Sequence, residues 1–71
     1  MKFIQTPGGT YISINNIIWF DKPYEYCHME EGKEVSTWKI KLAFRNYESL
    51  VTLEFVDLHS AEKFIKDMVE S

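Results

Sequence analysis

The residues of this 71-residue chain that could do chemistry are concentrated in the segment 24–34, which reads YEYCHMEEGKE. Cys27, the only cysteine, is followed by His28 and Met29, and Glu25 stands two positions before it. Side chains of these four types can bind metal ions, and a thiol activated by a histidine can act as a nucleophile. Metal binding and nucleophilic catalysis are therefore the first two chemistries to weigh.

The spacing of these residues argues against both chemistries. Neighbouring side chains on a strand point to opposite faces, so Cys27 and His28 cannot easily bind the same ion. A structural zinc site needs about four ligands, whereas the chain has one cysteine and two histidines. Nothing in the spacing brings the second histidine, His59, within hydrogen-bond reach of Cys27. We therefore expect no metal, no cofactor and no enzymatic activity.

The composition indicates a folded single domain, spanning 1–71. Hydrophobic residues make up 45% of the chain and aromatic residues 15%, which is too much apolar content for a disordered segment. Eleven acidic and eight basic side chains give a net charge of −3, which argues against the broad basic field of general nucleic-acid binding. So much apolar surface in so short a chain favours contact with another molecule.

The sequence also bears on location. One cysteine cannot form an intramolecular disulfide, and the sequence has neither a cationic-then-apolar leader nor a run of about 20 apolar residues. We therefore expect a reduced, cytoplasmic protein that does not contact a membrane.

Alternating hydrophobicity predicts the strands that must position these residues. Short strands are expected at 2–5 and 10–14 around a turn at 6–9, followed by a strand at 17–21. A hairpin is expected next, with arms at 24–29 and 36–45 and its turn at 30–33, and a last strand at 50–56. Asn15 and Asn16 fit either a two-residue hairpin turn or a corner between strands, and we favour the corner.

After Asp57 the apolar period changes from two to about 3.6, which predicts an amphipathic helix. Asp57 is the expected N-cap, with Ser60 as the second candidate if the helix starts later. The residues expected on its buried face are Ala61, Phe64, Ile65 and Met68. The predicted fold class is α+β: a twisted antiparallel sheet of four to five strands with one C-terminal helix packed on one face. A curled, barrel-like sheet is the alternative, because it would turn both strand faces into core.

The order of these elements resembles that of several families of small bacterial and phage proteins of unassigned role. The resemblance rests on GTYISINNI at 9–17, which leads into the corner, and on AEKFIKDM at 61–68 in the final helix. It implies a small bacterial or phage protein, and it carries over no function and no residue role.

The leading hypothesis is a non-enzymatic protein–protein interaction module that acts as an adaptor or inhibitor and associates with itself as a homodimer. A one-layer sheet with one helix cannot bury all the large apolar side chains, and aromatic-rich patches mark interfaces. The predicted interface residues are Ile18, Phe20, Tyr24, Tyr26 and His28.

The alternative hypothesis is a single-stranded nucleic-acid-binding module that uses a basic strand face. Lys39, Lys41 and Arg45 share the outer face of one predicted strand. Tyr11 or Tyr47 is a candidate to join them, which would combine phosphate contacts with base stacking. Lysines on an outward face also keep a sheet soluble and protect an edge. Nucleic acid is therefore the less favoured partner.

Overall fold

The computed structural model describes residues 2–70, which form six strands, one short 3-10 helix and one α-helix. The strands are β1 (Phe3–Gln5), β2 (Tyr11–Ser13), β3 (Ile17–Phe20), β4 (Tyr24–Glu30), β5 (Lys33–Phe44) and β6 (Val51–Phe55). The 3-10 helix spans Ile14–Asn16, and the α-helix, α1, spans Leu58–Glu70.

Strand β5 is the centre of the larger sheet. It pairs antiparallel with β3, β4 and β6. Leu42 of β5 pairs with Phe20 of β3 on one side and with Val51 of β6 on the other. Trp38 likewise has β4 on one side and β6 on the other. β3 and β4 therefore follow one another along the same edge of β5, and β6 occupies the opposite edge.

The predicted α+β fold is confirmed. The larger sheet has four antiparallel strands, β1 and β2 form a separate two-stranded antiparallel sheet, and the helix comes last in the chain. The larger sheet is open, so it does not form the barrel that was the alternative. The 3-10 helix joins β2 to β3, which belong to different sheets. The Asn15–Asn16 segment is therefore a corner, as we favoured, and not a hairpin turn.

The hydrophobic core lies between α1 and one face of the larger sheet. Alternation along β5 points Ile40 and Leu42 to this face, where neither has any exposed surface. The ring centroids of Phe55 and Phe64 lie 5.4 Å apart, which joins the sheet to the helix. The other buried members of the core are Ala61 and Met68. We call this side of the sheet the inner face and the opposite side the outer face.

Helix α1 begins at the predicted cap. The backbone N–H of Ser60 donates a hydrogen bond of 2.7 Å to Oδ1 of Asp57, which satisfies one of the amide groups left free at a helix start. This bond and a second one from the Ser60 hydroxyl lower the pKa of the Asp57 carboxyl. The N-cap prediction is confirmed.

Candidate interaction surface

Part of the β4–β5 hairpin extends past the region that β6 supports. β6 pairs with β5 only from Trp38 to Leu42, whereas β4 pairs with it from Lys33 to Lys39. We call the whole of β4, Tyr24–Glu30, together with Lys33–Thr37 the ribbon; from Tyr26 onward it lies past the part of β5 that pairs with β6. A two-stranded ribbon is marginally stable by itself in water. The ribbon is therefore held by β5, which continues from it directly into the core.

A tight turn sets the register of the ribbon. Glu31 and Gly32 both have positive φ, 52° and 77°, which is the signature of a two-residue type I′ turn. This turn pairs Glu30 with Lys33 and fixes every later pair along the hairpin. The turn predicted at 30–33 is confirmed.

The outer face of the ribbon is a row of aromatic rings beside lysines. Tyr26 stacks on His28 with ring centroids 5.4 Å apart. Nζ of Lys39 lies 3.9 Å from the centroid of the Tyr26 ring, and Nζ of Lys41 lies 5.6 Å from that of Tyr24. These distances allow cation–π attraction. We call these five residues the tyrosine face.

The charges of the tyrosine face are partly compensated. Lys39 Nζ lies 3.8 Å from Oε2 of Glu54, which also accepts a 3.3 Å hydrogen bond from the Thr37 hydroxyl. His28 Nε2 lies 3.4 Å from Oε2 of Glu30. Lys39 is half-buried and has these neighbours, whereas Lys41 is exposed. Lys41 is therefore the cation of this face that is better placed to meet another molecule.

The inner face of the ribbon lies beyond the core and is exposed as well. The Ser36 hydroxyl donates a 2.6 Å hydrogen bond to Oε2 of Glu25, and the Cys27 thiol lies 3.8 Å from the Ser36 oxygen. Met29 is 68% exposed. The ribbon thus presents large apolar side chains on both of its faces.

The structure separates the reactive residues of the opening segment from one another. Cys27 and His28 lie on opposite faces of the ribbon, since they are neighbours on β4. No group of three or more His, Cys, Asp or Glu side chains within residues 2–70 is arranged to hold a metal ion. His59 lines open clefts beside α1, and Cys27 is not part of their lining.

The structure brings together three of the five predicted interface residues. Tyr24, Tyr26 and His28 lie side by side on the tyrosine face. Ile18 and Phe20 lie on β3, further along the same edge of β5. Ile18 is exposed, whereas Phe20 is half-buried and packs against the core. Phe20 is therefore less available to a partner than the tyrosines.

The alternative set of residues is only partly assembled. Lys39 and Lys41 share the outer face, and Arg45 is exposed just after β5 ends. Tyr11 lies on β2, in the separate small sheet. The rings that accompany the lysines are those of Tyr24 and Tyr26, a pairing that the sequence analysis missed.

The outer face also continues from the ribbon to β3. Trp19 pairs directly with Ala43, and directly opposed residues lie on the same face of a sheet. Ala43 alternates with the inner-face residue Leu42, so Trp19 belongs to the outer face and is 43% exposed there. This tryptophan was not among the predicted interface residues.

Comparison of the chain with protein-family models, curated proteins and solved structures finds no match. Within residues 2–70, the structure contains no helix with both the length and the apolar character that crossing a membrane requires.

Proposed function

We propose that this chain is a non-enzymatic protein–protein interaction module whose contact surface is the ribbon. The observation that supports the proposal is the exposure of Tyr24, Tyr26 and Met29 on a projecting hairpin. Tyrosine and methionine are enriched at protein interfaces, and exposed clusters of them are uncommon on surfaces that meet only water.

The ribbon offers two ways to hold a partner. The free edge of β4 can pair with an extended segment, so that main-chain hydrogen bonds supply affinity. The tyrosine face can then select among partners, because Tyr24 and Tyr26 present large contact areas that lose few rotamers on binding. Such a module acts as an adaptor or an inhibitor by occupying part of another protein, and its net charge of −3 favours a basic partner.

A retention experiment with matched tyrosine variants tests this proposal. The tagged chain is used to retain proteins from an extract of the organism that encodes it, alongside Tyr26→Asp and Tyr47→Asp. Both tyrosines are exposed, but Tyr47 lies outside the ribbon. We expect Tyr26→Asp to lose the retained protein, because a carboxylate cannot replace the ring at an apolar contact, and Tyr47→Asp to keep it.

Circular dichroism of both variants verifies that they fold. If the folded Tyr26→Asp variant retained the partner as well as the unmodified chain does, the ribbon would not be the contact surface. A second copy of the chain itself does not count as the retained protein in this experiment.

The alternation of tyrosines and lysines on the outer face supports a second candidate function, the binding of single-stranded nucleic acid. Lys41 and Arg45 would contact phosphates while Tyr24 and Tyr26 stack on bases. We expect in that case that affinity for an oligonucleotide falls as salt rises and falls again in Lys41→Ala, but not in Lys63→Ala on α1. No mobility shift at low salt would exclude this function.

A further inference from the structure

The outer edge of β4 is open over the whole strand. β4 has seven residues, and among residues 2–70 it pairs only with β5. Proteins usually protect such edges with lysine, proline or a bulge. Here Lys22 and Pro23 precede β4, and the strand itself contains neither a lysine nor a proline. Building on the interaction module proposed above, we propose that the occupant of this edge is β4 of a second copy, antiparallel and centred on Cys27.

The hairpin turn decides which backbone groups face the open edge. The two-residue turn makes Glu30 and Lys33 a hydrogen-bonded pair, and hydrogen-bonded and non-hydrogen-bonded pairs alternate from there along the hairpin. Every second residue of β4 therefore directs its N–H and C=O away from β5. The residues with outward-pointing backbone groups are Glu25, Cys27 and Met29.

An observed hydrogen bond supports this alternation. The N–H of Asp21, just after β3, donates to the carbonyl of Lys41 at 3.1 Å. Odd-numbered residues of β5 thus direct their backbone groups toward the edge that β3 and β4 share. Lys39, two residues earlier, then bonds to Tyr24, its partner in the register.

The symmetry of a two-chain pair selects the register. Centring the pair on Cys27 matches all three outward-pointing residues with one another, and each match exchanges two main-chain hydrogen bonds. Moving the centre one residue earlier would bring in Pro23, which has no N–H to donate. Moving it one residue later would bring in Glu31, whose positive φ belongs to the turn. The register centred on Cys27 is therefore the one that matches every outward-pointing residue of β4 with another residue of β4.

The side chains are compatible with this register. The directly opposed pairs are Tyr24 with Glu30, Tyr26 with His28, Glu25 with Met29, and Cys27 with Cys27 of the second copy. No pair opposes like charges, which would destabilise a sheet. The tyrosine–histidine pair repeats between copies the stacking that already exists within β4. The side chains thus place no like charges against each other in this register.

Disulfide formation at Cys27 tests the register. The α-carbons of a hydrogen-bonded antiparallel pair lie about 5.5 Å apart, which is within disulfide range. Diamide, which accepts the two thiol hydrogens as the S–S bond forms, should convert the chain to a covalent dimer. The control is Ser36→Cys in a Cys27→Ser background. Ser36 is exposed on the same face, but three strand spacings, about 14 Å, would separate it from its copy.

A charge placed on the symmetry axis tests the pairing without a disulfide. Cys27→Lys sets two ammonium groups directly against each other, whereas Cys27→Ser leaves the axis neutral. Edge pairing of one short strand belongs to the weak, transient class of interfaces, so light scattering should cover a wide micromolar range under reducing conditions. We expect the mass of Cys27→Ser and the unmodified chain to rise toward twice the monomer mass, and that of Cys27→Lys to stay monomeric.

A monomeric mass at every concentration would overturn the proposal of self-pairing. So would equal cross-linking of the unmodified chain and of the variant that carries Ser36→Cys and Cys27→Ser. If the chain is monomeric and still retains a different protein through Tyr26, self-pairing fails and the proposed function stands. If the chain dimerises through Cys27 and retention does not depend on the ribbon, the dimer stands and the wider interaction role fails.

Discussion

Glu31 holds a backbone conformation that costs energy for its residue type. Its φ of 52° lies in the left-handed region, which asparagine and glycine adopt at lower cost than other residues. We therefore expect Glu31→Asn to raise the free energy of unfolding by about 1 kcal/mol. Chemical denaturation measures the change.

The matched control for this prediction is Glu34→Asn, an exposed glutamate on the strand side of the same turn. Its backbone is extended, so asparagine brings no benefit there. If Glu31→Asn were no more stable than Glu34→Asn, the turn would not be under the strain that its φ angle implies.

Asp57 makes the stability of the fold depend on pH. Hydrogen bonds from the Ser60 backbone and hydroxyl lower the pKa of its carboxyl. The carboxylate therefore stabilises the folded state above the ordinary pKa of an aspartate, and this stabilisation is lost as the pH falls through the lowered value. An asparagine cap forms the same bond without a charge at the helix N-terminus.

We expect the unmodified chain to melt at a higher temperature than Asp57→Asn at neutral pH, and the difference to shrink in acid. Thermal denaturation of both proteins over a series of pH values measures it. A difference that is independent of pH would show that the charge of Asp57 does not act on the helix.

At the level of elements, the packing of α1 on the inner face carries the stability of the domain. Phe64 is 6% exposed, and its ring packs at a tilt against that of Phe55. We expect Phe64→Ala to lower the free energy of unfolding by about 3–5 kcal/mol, because it leaves a cavity in the core. Val69→Ala, on the exposed side of the same helix, should change it by less than about 0.5 kcal/mol. If the two variants lowered the free energy of unfolding by similar amounts, Phe64 would not be part of the core that stabilises the domain.

Strands and helices could be predicted from the sequence where apolar residues keep one spacing over several residues. The alternation in β5 and β6 and the helical period after Asp57 were sufficient to assign those elements and their buried faces. β1 and β2 pair across the predicted turn, but that they pair with no strand of the larger sheet could not be predicted, since it depends on contacts with residues distant in the sequence. The separate small sheet therefore became apparent only in the structure.

The partners of the reactive-looking residues illustrate the same limit. Alternation alone separates Cys27 from His28. The positions of Lys39 over Tyr26 and of Ser36 beside Cys27 depend on the hairpin register, which the positive φ angles at the turn set. The sequence indicated a turn at this place, but not its two-residue type.

At the scale of the whole molecule, the described chain is elongated, with extents of 44 × 26 × 21 Å. The compact part contains the core, and the ribbon contributes length without a core of its own. A domain of this size buries a limited share of its surface, so the ribbon gains most from a partner that covers it. The sequence predicted an apolar surplus and placed Tyr24, Tyr26 and His28 on one hairpin arm, but not that this hairpin extends past the core.

Amide hydrogen exchange along β4, measured at low and at high protein concentration, tests the contact role of the ribbon edge most directly. The N–H groups of Glu25, Cys27 and Met29 point outward and should exchange freely in dilute protein. Those of Tyr26 and His28 bond to β5 and should be protected at both concentrations. We predict that the outward-pointing amides become protected at high concentration. Free exchange at these three positions at every concentration would contradict pairing through the edge of β4.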